Sequence, residues 1–285
     1  MKYGLDLTGE GPGDRNGHGT HVAGIVGSNT YGVAKKVNMF DIKVLTGFGN
    51  GNLSTVIKGI EYAVNQAAQN SSTRKAVANL SLGAGFNLVL NAAVDAAVDS
   101  GLPMVVAAGN ANSAACATSP ASATNAFTVG AIDDRYDSIA SFSNWGSCVN
   151  MFASGVYVTS LSHERNNSLT LSGTSMASPA VAGTIAMFMG LGDDAQIAMD
   201  KLSTMATEDA IDMRHLFFRP RTPNRIAYNG QDITVENRAG RKDGDDNEGS
   251  SGLAADLGDS DDSGDGSSYW KTPHDLNLIG WFHPS

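Results

Sequence analysis

From Val37 to Tyr228 the chain alternates short apolar runs with longer stretches of helical periodicity, and no other feature restricts the fold as much. A strand that is apolar along its whole length must be covered on both faces, which calls for helices above and below a mostly parallel sheet. Pro103–Ala108 is such a run, and Val37–Leu45, Lys75–Leu82, Phe127–Ile132 and Val149–Phe152 read as further strands. Between them, Ser54–Gln69 places Ile57, Ile60, Ala63, Val64, Ala67 and Ala68 at helical spacing behind a serine cap. Leu88–Asp99 and Asp194–Thr207 read as two more helices. Ser175–Leu191 is apolar on every side, with Pro179 near its first turn, so it must be buried. The expected fold class is α/β: three layers, with a mostly parallel central sheet flanked by helices.

The two ends differ from this middle. Residues 1–20 hold six glycines and no buried-strand pattern, so a domain starting there would start on a loop. Residues 231–285 hold 12 Asp/Glu against 4 Lys/Arg, whereas residues 1–230 are nearly balanced, with 17 against 15. The expected organisation is one compact domain over 1–230 and an acidic Gly/Asp/Ser-rich tail over 231–285, too poor in apolar groups to offset the entropy of ordering. Two stretches of the tail, from Asp243 and from Asp259, touch the pattern of a calcium loop. Both lack the carboxylate at its twelfth position, where Ala254 and Trp270 stand, so they read as solvated spacer.

At 285 residues and 41% hydrophobic content the chain can bury one sizeable core. A formal charge of −10 excludes a nucleic-acid binder, which needs a surplus of Lys and Arg. The sequence has no apolar run of about 18 residues and no basic-then-apolar leader, so it is expected to stay off membranes. Cys116 and Cys148 have neither zinc-site nor redox spacing, and composition alone leaves open one disulfide or two free thiols.

Three motifs carry chemistry. Gly17-His18-Gly19-Thr20-His21 sets an imidazole between glycines, small enough for a base to approach a substrate backbone, immediately before an apolar helix. Ser172-Gly173-Thr174-Ser175 places a serine at the start of the buried helix, where free N–H groups and the helix dipole favour developing negative charge. Val105-Val106-Ala107-Ala108-Gly109-Asn110 ends an apolar strand in a small-residue turn and an amide able to donate to an oxyanion. A metal or nucleotide enzyme built on His18 and His21 fails, because no Cys, Asp or Glu completes a ligand set and no phosphate loop is present.

In this order the motifs resemble the subtilisin-like serine peptidases, over about residues 4–230, and within them the proteinase K and aqualysin branch. The resemblance implies Ser175 as nucleophile, His18 as general base and Asn110 as side-chain oxyanion donor, with the Ser175 N–H as the second donor. It implies a groove in which substrate backbone adds as a strand between Ser81-Leu82-Gly83 and Gly49-Asn50-Gly51. Ala107, Ala108 and Gly109 would wall a primary pocket for apolar or aromatic side chains, His21 would be structural, and Cys116 and Cys148 would be bridged. The implied partners are polypeptide substrates and, as in the family, a propeptide or protein inhibitors. The protein would be a secreted, extracellular monomer needing no cofactor for its chemistry. Structural calcium is weakened by Asn150, which stands where many members have an Asp, and Ala180 replaces a histidine.

The chief departure concerns the orienting aspartate, which the family carries at the end of a first buried strand about thirty residues before the histidine. Only seventeen residues precede His18, and Asp6 and Asp14 both read as loop residues. The expectation is that the first strand is missing and the chain truncated, with an impaired, peptide-binding protein as the alternative to an active endopeptidase.

Overall fold

Each of the five runs read as strands becomes one, and its place in the sheet decides how apolar it has to be. The computed structural model describes residues 2–70, 75–164, 167–230 and 279–284. The chain divides into a unit of residues 1–229 with 274–285, which carries everything below, and a unit of residues 230–273. Most of the expected tail, with both calcium-like stretches, lies outside the described residues.

The main sheet is built from β1 (Lys2–Asp6), β2 (Val37–Lys43), β3 (Val77–Leu80), β5 (Met104–Ala107), β7 (Phe127–Asp133), β8 (Ser138–Ile139), β9 (Met151–Ser154), β12 (Thr207–Glu208), β13 (Arg225–Ile226) and β14 (Ile279–Pro284). Two short antiparallel pairs stand apart from it, β4 (Ala84–Gly85) with β6 (Thr118–Ser119) and β10 (Val158–Leu161) with β11 (Ser168–Leu171). The order across the sheet is β1-β2-β14-β3-β5-β7-β9-β13-β12, with β8 paired to β7. Its body is parallel, with Ala78 opposite Met104, Val105 opposite Phe127 and Val129 opposite Met151. β14 is antiparallel to both neighbours, Ile279 lying opposite Ile42 on one side and Leu80 on the other.

Among the described residues six α-helices accompany the sheet: α1 (His18–Gly27), α2 (Leu53–Asn70), α3 (Leu88–Asp99), α4 (Thr174–Gly190), α5 (Ala195–Met205) and α6 (Met213–Leu216). Alternation along each strand feeds two cores. Val105, Val129 and Met151 face α1, α4 and α5 with Val26, Val181, Ile185 and Leu202, while Leu80, Met104 and Val106 face α2 and α3 with Ile60, Leu90 and Val94. All four residues of β5 are buried, which is why that run reads as apolar throughout. The three-layer, mostly parallel arrangement expected from the sequence is the one observed.

Some local expectations need correction. Lys2–Asp6 is a strand, not a loop, and the sequence hides it because an edge strand has one partner and needs few apolar residues. Its Gly4 is required by close approach, since a Cβ there would lie 2.5 Å from the Asp41 carbonyl oxygen. α2 begins at Leu53, so Ser54 lies inside the helix and does not cap it. Within the acidic C-terminal stretch, the last described residues, 279–284, pair in the sheet.

Candidate active site

α1 and α4 bring the first two motifs to one end of the molecule. Val22 and Ile25 pack on Met176, and Gly183 lies against Val26, where a Cβ would come within 3.1 Å of its carbonyl oxygen. The two helices therefore run in step, each starting at the same end, α1 at His18 and α4 one residue before Ser175. Both side chains are buried, at 4% and 6% exposure.

The start of α1 is held by Asp14. One carboxylate oxygen accepts from the N–H groups of Asn16 and Gly17 (2.9 and 2.8 Å), the other from the N–H and hydroxyl of Thr20 (both 2.8 Å). Burial alone would push this carboxyl up, but these donors, Gly17 first, hold it below the usual carboxylate range. Gly17 takes φ 96° at the turn into the helix, against the ring of His163, so a side chain has neither the backbone freedom nor the space there. Asp6 is similarly occupied: its two oxygens take the N–H and hydroxyl of Thr8 and the N–H of Gly11. Both carboxylates are bonded to their own loops. His21 shares its Nε2 proton between the carbonyls of Val158 and Leu169 (3.1 and 2.9 Å), tying α1 to the β10–β11 hairpin, and burial lowers its pKa, so it is a neutral structural residue.

The start of α4 is fastened from two directions. Thr174 donates both its N–H and its hydroxyl to Asn110 Oδ1 (both 2.9 Å), and its hydroxyl oxygen accepts from Gly109 N–H (3.1 Å). Only an oxygen can accept from a backbone N–H, so these bonds fix the Asn110 amide with its NH₂ outward, over Gly173. Gly109, at φ 100°, makes the turn that carries Asn110 to this place. Asn144 braces the same turn: its NH₂ donates to Ala108 O (2.8 Å) and its oxygen accepts from Ala111 and Ser113 N–H. The Ser175 N–H lies in the first turn, where a helix offers no partner four residues back.

The second fastening starts from Pro179. Pro179 is the sixth residue of α4, inside the helix, so Ser175 O loses the N–H that should bond it. Ser81 replaces that donor, its hydroxyl giving its one proton to Ser175 O at 2.9 Å. Asn79 NH₂ and the Ser178 hydroxyl, at 2.9 and 3.0 Å, then fill the two lone pairs of Ser81 Oγ. The Ser81 side chain is thus a fully buried clamp beneath the nucleophile segment. Leu82 is 6% exposed, and only Gly83 of that triplet is open to solvent.

The remaining predicted residues are spread around this centre. Gly49, Asn50 and Gly51 form a turn after β2, closed by Thr46 N–H to Asn50 O at 2.8 Å, with Gly49 buried and Asn50 and Gly51 exposed. Ala108 packs into a small core with Ala115, Ala121 and Phe152, and Ala107 is also buried, so Gly109 is the more accessible part of that wall. Cys116 and Cys148 are bridged, with Cα atoms 5.3 Å apart. The Asn150 side-chain oxygen accepts from Thr128 N–H at 2.7 Å, so one of its two lone pairs already has a protein partner. Sequence reasoning missed Thr174, Asn144 and the clamp role of Ser81. Only Pro179, which announces an orphaned carbonyl four residues earlier, could have signalled any of them.

Comparison with known proteins gives the family. The model of the subtilase family of peptidases matches residues 3–247. The chain is 50% identical over 232 residues to the subtilase-type proteinase RRT12 of Saccharomyces cerevisiae, covering 80% of this chain and 47% of that protein. It is 42% identical over 234 residues to a cuticle-degrading serine protease of Arthrobotrys oligospora, covering 80% and 54%. The chain thus spans about half the length of these curated relatives. The crystal structure of a cold adapted subtilisin-like serine proteinase superposes with a TM-score of 0.74 at 38% identity, covering 81% of this chain and 82% of that one.

Proposed function

The chain belongs to the subtilase family, and from that premise we propose that it is a serine endopeptidase working through an acyl-enzyme. In this reading Ser175 Oγ attacks the substrate carbonyl while His18 takes its proton. The oxyanion is received by the Asn110 NH₂ and the Ser175 N–H, and His18 returns the proton to the departing amine. Water then attacks the acyl-enzyme by the same route, and no cofactor enters. The observation that carries the reading is the pair of bonds from Thr174 to Asn110 Oδ1, which leaves a fixed donor beside Ser175 at the helix end shared with His18.

Short residues at Ala107 and Gly109 leave room for an apolar or aromatic side chain before the cut bond. Exposed backbone at Gly83 and at Asn50–Gly51 offers substrate two edges to pair with. The Cys116–Cys148 bridge suits an oxidising, extracellular compartment. Polypeptides are the substrates, and a monomer suffices.

One observation favours a second reading, an impaired peptide binder: Asp6 and Asp14, the two carboxylates ahead of His18 in the chain, both bond to their own loops. A fluorophosphonate probe separates the two. An active peptidase gains one adduct on Ser175, found by mass spectrometry of its peptides, and loses it in His18→Ala. Absence of labelling in the unmodified chain would leave the binding protein.

A further inference from the structure

We propose that the cavity lined by Arg135, Phe142, Tyr157, Ser172, His215 and Arg219 is a subsite for a carboxylate of the bound polypeptide, an inference that rests on Ser175 being the nucleophile. The cavity measures about 460 Å³, and its wall is continuous with the nucleophile segment. Tyr157 N–H donates to the Ser172 hydroxyl at 2.9 Å and Gly173 N–H to Gly155 O at 2.8 Å, so the loop carrying Tyr157 is bonded to the residues just before Ser175. A peptide seated at Ser175 has this cavity within reach of a neighbouring residue.

Its charge is unbalanced. Arg135 is matched by Asp133 through two parallel bonds, 2.8 and 2.7 Å, and lies over the Tyr157 ring at 4.6 Å, so it forms a neutral, oriented pair. Arg219 has no such match. Its guanidinium donates to two neutral acceptors, His215 O at 2.7 Å and Asn112 Oδ1 at 3.3 Å, and its buried Nε has no partner. Among the described residues it makes no ion pair. Burial pushes its pKa down, the mark of a charge that has lost water and gained no anion in return. Two guanidiniums face one carboxylate, and a partly buried, uncompensated arginine is costly until an anion joins it. A carboxylate is the natural complement, because a guanidinium can offer it parallel N–H donors, and Phe142, Ile139 and Val156 supply apolar wall for the methylenes that carry an acidic group.

The test measures binding to the Ser175→Ala protein by fluorescence anisotropy at low salt, so that it does not depend on turnover. Labelled peptides with an amidated C-terminus carry Glu or Gln, scanned over the two residues on either side of the cut position, and a third set carries Gln with a free C-terminal carboxylate. Expected is binding about tenfold tighter or better for Glu over Gln at one position, or for the free terminus if that is the natural source. The advantage should shrink with added salt, collapse toward one in Arg219→Gln and persist in Arg219→Lys, whose behaviour separates lost charge from lost fold. Equal affinity for all three sets, or an advantage that survives Arg219→Gln, overturns the proposal. Cleavage of the Gln peptides by the unmodified chain reports separately on the peptidase reading.

Discussion

Replacing Ser81 by alanine tests the clamp under the nucleophile. The substitution removes one hydroxyl from a site with 0% exposure and leaves Ser175 O without a donor, because Pro179 has no N–H to offer. An orphaned buried carbonyl costs about 1–3 kcal/mol, and Asn79 and Ser178 also lose their acceptor, so a loss of about 2–4 kcal/mol is expected. With a urea m-value of about 2–3 kcal/mol/M for a domain of this size, the unfolding midpoint should fall by about 1 M. The same change made in Pro179→Ala should cost about 1 kcal/mol less, since the new residue's N–H can bond Ser175 O along the helix. The four proteins form a double-mutant cycle, read by urea titration. The rate of fluorophosphonate labelling at Ser175 should fall in Ser81→Ala and partly recover in the double variant. An equal Ser81→Ala penalty in both backgrounds would refute the claim that Ser81 stands in for the missing helix donor.

Asn110→Ala should lower kcat for a neutral peptide by about 10²–10³ while leaving the probe able to label Ser175, as peptide kinetics beside labelling would show. Cutting the disulfide with Cys116→Ser and Cys148→Ser together should cost about 3–4 kcal/mol for its 32-residue separation, measured by urea unfolding of the oxidised and substituted proteins. Asp14→Ala removes the acceptor of four bonds at the start of α1 and should cost at least about 1–2 kcal/mol, again by urea titration. Asp41 is pushed up to about 6, first by burial and then by Asp14 and Asp6, with Lys43 opposing. The folded state therefore binds its proton more readily than the unfolded state, and stability on this account is lost as pH rises from about 4 through 6. Asp41→Asn should raise stability at pH 7.5 by about 1–3 kcal/mol and change it little at pH 4, by unfolding at the two values.

What the sequence made legible followed from burial. β5 and α3 were readable to within a residue or two, because two-sided cover and a regular apolar face leave clear patterns. β1 was not, since an edge strand with Gly4 at its middle has no such signature. At the site, His18, Asn110 and Ser175 stood out through their motifs, but the bonds that hold them run between residues far apart in the chain, such as Thr174 to Asn110 and Ser81 to Ser175. No local pattern encodes those contacts. The motif around Ser81 likewise gave no sign that its buried hydroxyl bonds the Ser175 carbonyl.

The position of β14 sets a timetable. β2 and β3 follow each other in the chain yet do not touch, and the ladder between them is completed by residues 279–284. A ribosome delivers those residues after every other described strand. Until then the nascent chain holds two part-sheets with open backbone edges facing each other, a state prone to wrong pairing. β3 is also the strand that leads directly into Ser81. The joint that steadies Ser175 therefore follows directly on a strand that gains its second partner only once residues 279–284 have been made.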